Sequence, residues 1–172
     1  PLYFGSRPGS ANAVVLEATV FNLSAVAAAN VPVAFYNTNG QQLVVVATAT
    51  ISSLPAGGSA IATGTWANPP AQYAAMVVVD PAGQVPDSNR ENNAASLTPG
   101  FEVVGKAATV TAVVGTSVTF PVEVRSVGGY SNSVALEALD LPPGGTATVT
   151  PASVAPPGMA TVEITIPADA PP

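Results

Sequence analysis

The chain has 172 residues, of which 48 % are hydrophobic and only 8 % charged, and its formal net charge is −6. Four cations (Arg7, Arg90, Lys106, Arg125) cannot build the positive field that nucleic acid or an anionic membrane surface requires. Cysteine and histidine are both absent, which removes thiolate nucleophiles, zinc sites of the usual kind and imidazole bases. No apolar run approaches the ~18 residues that span a bilayer, so membrane insertion is not expected. The 18 prolines and 15 glycines punctuate apolar runs without a three-residue period, as in turn-rich β structure.

In chain order, Leu2-Tyr3-Phe4 reads as an edge strand. From Val14 the pattern has period two, with Val14, Leu16, Ala18 and Val20 on one face and Val15, Glu17, Thr19 and Phe21 on the other. Asn22 to Asn30 is alanine-rich but short, and is expected to be a loop before a strand from Val31 to Tyr36. Asn37-Thr38-Asn39-Gly40 carries a hairpin signal, because Asn-Gly supplies the positive φ angles of a tight turn. Leu43 to Ile51 reads as a well-covered strand. Ser59 to Trp66, Tyr73 to Val79 and Ala94 to Leu97 follow, without intervening helices. That spacing predicts an antiparallel sandwich.

After Thr98-Pro99-Gly100 the texture changes. Strands are expected over Phe101 to Gly105, Ala108 to Val114, Ser117 to Arg125, Ser133 to Leu139, Thr146 to Thr150 and Met159 to Ile166. In the third of these, Val118, Phe120, Val122 and Val124 should point inward. Pro121 lacks an N–H and is expected at an edge or a bulge. The prediction is all-β: two tandem immunoglobulin-like antiparallel β-sandwiches, residues 1–99 and 100–172, the second lacking its final strands.

One loop concentrates polar ligand chemistry. After the apolar run Val77-Val78-Val79 come Asp80, Asp87, Asn89, Glu91, Asn92 and Asn93, a supply of hard oxygens that would suit Ca²⁺. The alternative is that Asp and Asn cap turns by accepting from nearby backbone N–H groups. Trp66, Tyr73 and Tyr36 would suit either a sugar-stacking platform or the core. The pairs Glu137/Asp140 and Glu17/Glu123 have the chemistry of glycosidase carboxylates, but their strand and turn positions favour solvation. No catalytic residue is assigned.

Two resemblances cover the chain. Val20-Phe21-Asn22, Val31 to Tyr36, Gly58, Trp66, Tyr73, Val79-Asp80 and the tail Val85-Pro86-Asp87-Ser88-Asn89-Arg90-Glu91-Asn92-Asn93 resemble the CARDB family, the cell-adhesion-related bacterial domain. Arg90 departs from it, standing where an acid is common. The second half resembles bacterial immunoglobulin-type modules that trail secreted proteases and surface proteins. The matching stretches are Gly115 to Phe120, Ser126 to Tyr130, Leu141 to Gly144 and Thr150 to Gly158. One or two further strands normally follow in such modules.

The resemblances imply a non-enzymatic structural or adhesion module, secreted or at the cell surface. Its expected partners are copies of itself or other surface proteins, or polysaccharide; no cofactor is assigned, and the loop oxygens make calcium the one candidate. Strand donation from Leu2, Tyr3 and Phe4 would complete the second sandwich of a neighbour. The alternative is an accessory substrate-binding or spacer module of a larger secreted hydrolase.

Overall fold

A computed structural model describes residues 2–9, 12–106 and 109–169. The chain forms two compact units, residues 1–99 with 127–129, and residues 100–126 with 130–172.

In the first unit, β1 (Leu2–Pro8), β2 (Ala13–Phe21) and β5 (Ser59–Ala67) make one antiparallel sheet in the order β1-β2-β5. The second sheet has the order β4-β3-β6-β7, built from β3 (Ala28–Asn37), β4 (Val44–Leu54), β6 (Ala75–Val79) and β7 (Ala94–Leu97). The period-two pattern of β2 is realised: Leu16, Ala18 and Val20 are buried against Val33, Phe35, Ile51 and Val77 of the other sheet. Phe35 is fully buried beneath Gly64, where a Cβ would stand 2.7 Å from the Phe35 ring and 2.6 Å from Ala47 Cβ. Any side chain at Gly64 would force the sheets apart. Between the sheets, the Tyr73 hydroxyl donates to Ser6 Oγ at 2.8 Å.

Three expectations for this unit change. β3 begins at Ala28, so the loop before it is shorter than Asn22 to Asn30. The hairpin between β3 and β4 exists, but its loop is not a tight Asn-Gly turn. Instead Asn39 reaches across the unit: its Oδ1 accepts from the Ala74 N–H at 2.6 Å and its Nδ2 donates to the Gln72 carbonyl at 3.1 Å. Leu43, Val44 and Val45 are more than half exposed, because β4 is the outer strand of its sheet.

The second unit has a four-stranded antiparallel sheet in the order β11-β13-β9-β8. Its strands are β8 (Gly100–Gly105), β9 (Ser117–Val127), β11 (Thr146–Thr150) and β13 (Gly158–Thr165). A two-stranded pair, β10 (Val134–Ala135) with β12 (Ser153–Val154), packs Val134 and Val154 against Val124 and Ala160. Pro121 lies in an interior strand. Its carbonyl accepts from the Lys106 N–H at 3.2 Å, just past the end of β8. A strand residue's N and C=O point to the same side, so its missing donor falls where that ladder is ending.

The strand expected from Ala108 to Val114 does not form over 109–114, and Ala108 itself lies outside the described residues. The turn that follows is anchored, with the Gly115 N–H donating to the Ile166 carbonyl at 3.0 Å. The strand expected from Ser133 to Leu139 shrinks to β10, and the chain then turns through Asp140 at φ 54°.

Candidate functional site

β6 ends where its buried Val79 meets Asp80, whose φ of 49° reverses the chain. Asp is among the few residues that visit this left-handed region. The Asp80 N–H donates to the Pro32 carbonyl at 2.7 Å, and the Gly83 N–H donates back to the Asp80 carbonyl at 3.0 Å. The Asp80 side chain is 2 % exposed, and Asp80 is the only buried polar or charged residue among the described residues.

A carboxylate withdrawn from water must find donors. Oδ1 accepts from the Gln84 N–H at 2.8 Å, and Oδ2 accepts from the Val85 N–H at 2.9 Å and from Arg90 Nη1 at 3.3 Å. Arg90 Nη2 also donates to the Val85 carbonyl at 2.9 Å. Burial pushes the Asp80 carboxyl upward, but the two backbone N–H groups and the Arg90 charge outweigh it. The group is held below the usual carboxylate range. Gly83, at φ 69°, leaves room for the guanidinium, since a Cβ there would stand 2.9 Å from Arg90 Nη1.

The rest of the loop is tied locally. Asp87 Oδ1 accepts from the Asn89 N–H at 2.9 Å, and Asn89 Oδ1 from the Glu91 N–H at 3.2 Å. The second bond caps a 3₁₀ turn over Arg90–Asn92. The Val79 N–H donates to the Asn93 carbonyl at 2.8 Å and closes the loop onto β6. Of the six residues expected around Ca²⁺, Asp80 turns inward with both oxygens engaged, while Asp87, Asn89, Glu91 and Asn92 are exposed and Asn93 is half-buried. No group of three or more Asp, Glu, His or Cys gathers as a metal site among the described residues. Arg90, which broke the sequence pattern, is the charge around which the loop is wound. The signal was its isolation: no other cation occurs between Arg7 and Lys106.

The other candidates are placed as follows. Leu2, Tyr3 and Phe4 pair with Val20, Thr19 and Ala18 of their own chain. Phe4 packs on Phe35 and Tyr3 meets Phe21 edge-on. As a donor, this segment would first have to leave β1. Trp66 and Tyr73 are buried and meet edge-to-face at 5.4 Å, so they are core and not a sugar platform. All four cations are engaged by carboxylates: Arg7 by Glu17, Arg90 by Asp80, Lys106 by Glu123, and Arg125 by Glu123 and Glu102. Hydrogen bonds from Lys106 and Arg125 lower the Glu123 carboxyl below its ordinary value.

In the second unit an apolar groove of about 310 Å³ runs along the four-stranded sheet. Val103, Phe120, Val122 and Ile164 line its floor, and Leu139 and Pro142 its wall. Glu137 and Asp140 also border this groove. Leu139 is 72 % exposed, so the wall does not close over the floor.

The CARDB family model matches residues 6–97, more than half of the chain. The solution structure of a CARDB domain from Pyrococcus furiosus is similar at 21 % identity and a TM-score of 0.43, over 55 % of this chain and 88 % of that one. A solution structure from Geobacter metallireducens is similar at 31 % identity and a TM-score of 0.41, over 54 % and 86 % respectively. No protein with a curated description matches the sequence. The period-two strands, the two facing sheets and the Asp80 to Asn93 loop of the first unit lie within or beside the matched stretch, and the chain belongs to the CARDB family.

Proposed function

We propose that this chain is a non-catalytic structural or adhesion module of a secreted or cell-surface protein, and that a strand from a neighbouring chain completes its second unit. The family is one of non-catalytic β-sandwich modules, and each of the four Lys and Arg side chains is paired with a carboxylate. The observation that carries the proposal is the groove over Val103, Phe120 and Ile164, an apolar sheet face without a closing strand among the described residues. An extended apolar segment laid there would remove that surface from water.

Electron microscopy of the purified chain tests it, alongside a Val103→Lys variant. Val103 is 48 % exposed, so the lysine leaves the fold intact while placing a charge in the groove. Ordered filaments lost in the variant support the proposal, and particles of monomer mass in both overturn it. The alternative, an accessory substrate-binding or spacer module of a larger secreted hydrolase, loses its aromatic platform for sugar with the burial of Trp66 and Tyr73.

A further inference from the structure

No charged residue occurs between Glu17 and Asp80, so β3, β4, β5 and β6 carry none. Every charge behind the net −6 lies elsewhere on the chain. Within this neutral region β4 is the outer strand of its sheet, hydrogen-bonded to β3 alone among the described residues. Outer strands are usually blunted by charges, prolines, shortness or a covering segment. Of the other outer strands in the first unit, β1 carries Arg7 and ends in Pro8 and β7 has 4 residues, while β5, at the far edge of the three-stranded sheet, has 9 uncharged residues. β4 has 11 residues of Val, Ala, Thr, Ile, Ser and Leu. Its one protective device is a bulge at the start, where Phe35 pairs with Ala47 but Tyr36 pairs with Val45. From Ala47 to Leu54 the register keeps one offset, interrupted only at Ser52, opposite Asn30 at φ 53°. β5 approaches β4 through Gly64 and Ala47 Cβ, from the inner face, which leaves the hydrogen-bonding flank open.

From this we infer that β4 is a self-association edge, and that its occupant is the β4 strand of a second copy, antiparallel across a two-fold axis. Two copies of a strongly acidic protein repel over most of their surface. Here they meet without charge, and an antiparallel strand edge is self-complementary in its N–H and C=O groups. With Thr50 on the axis, Thr48 meets Ser52 of the second copy and Ala49 meets Ile51, and such hydroxyl and apolar cross-strand pairs are favourable. The outward residues Thr48, Thr50 and Ser52 are all exposed. The inference does not depend on filament formation, because a two-fold strand pair closes at the dimer.

The absence of cysteine makes the test clean. Single variants Thr48→Cys, Thr50→Cys and Ser52→Cys are oxidised and run without reductant, and the wild-type chain is sedimented over a concentration series. The expected results are a disulfide-linked dimer from at least one variant, a wild-type mass rising from 16.9 kDa towards about twice that value, and loss of the rise in Thr50→Lys. Circular dichroism confirms that the lysine variant is folded. A monomer at every concentration with no cross-linked variant overturns the inference. So does a dimer or filament that Thr50→Lys leaves unchanged; filaments of that kind would still support strand completion of the second unit. Dimers without filaments would support the β4 edge and sink that proposal.

Discussion

Arg90 Nη1 lies 3.3 Å from Oδ2 of Asp80, the outer member of the pair being 44 % exposed and the inner one 2 %. The asymmetry means that removing the two partners has unequal effects. Asp80→Ala strands the Gln84 and Val85 N–H groups and places alanine at a positive φ, so a loss of about 2–4 kcal/mol is expected. Arg90→Ala removes a half-solvated charge and is expected to cost about 1 kcal/mol. Urea midpoints of the two single variants and the double variant separate the contributions, and equal losses would contradict this account.

The lowered carboxyl of Asp80 sets a direction with pH. A folded-state pKa below the unfolded one adds stability that is fully present above the unfolded value, about 3.9. That stability is lost as pH falls through the folded value. The stability difference between wild type and Asp80→Asn should be flat above about pH 5 and shrink under more acidic conditions. A difference that grew on acidification would reverse the sign.

Calcium is expected to leave the first unit unchanged, since backbone N–H groups and Arg90 already take both Asp80 oxygens. Thermal unfolding with millimolar Ca²⁺ and with a chelator should coincide. A rise in midpoint with Ca²⁺ that Asp87→Asn abolishes would restore the clamp suggested by the sequence.

Gly64→Ala is expected to destabilise the first unit by about 1–3 kcal/mol through overpacking against Phe35 and Ala47. Trp66→Ala should cost about 3–5 kcal/mol, because it empties a buried site. Loss of glycan retention in Trp66→Ala would therefore report unfolding unless the melting curve were unchanged.

Alternation along a strand was legible because it records one buried face. β2, β9 and β13 follow it residue by residue, with Val124 fully buried and Arg125 beside it exposed. Position within a sheet was not legible, since Leu43, Val44 and Val45 look the same on a covered strand as on an outer one. The same limit explains 109–114, a strand-like pattern with no neighbouring strand to bond it among the described residues. Asn39 defeated a local rule through distant contacts: its side chain serves Gln72 and Ala74, and the tight turn was forgone. At the candidate site the acidic residues stood out, but not which one was inside. That depends on the Pro32 carbonyl and the turn at Asp80, which fold the carboxylate back under its own loop.

The pairing of β1 with β2 has a mechanical consequence. Leu2 lies opposite Val20 and Pro8 opposite Val14. Following the antiparallel pairs through β5, the short β4–β5 turn, β3 and β6 makes β7 run the same way as β1. Tension applied at Leu2 and Leu97 then slides β1 along β2. Antiparallel hydrogen bonds lie across the strands, so the hydrogen-bonded pairs along this register, which alternate with non-bonded ones, carry the load at once and do not peel in sequence. Stretched between Leu2 and Leu97, the first unit is loaded in shear along its outer strand and not by unzipping.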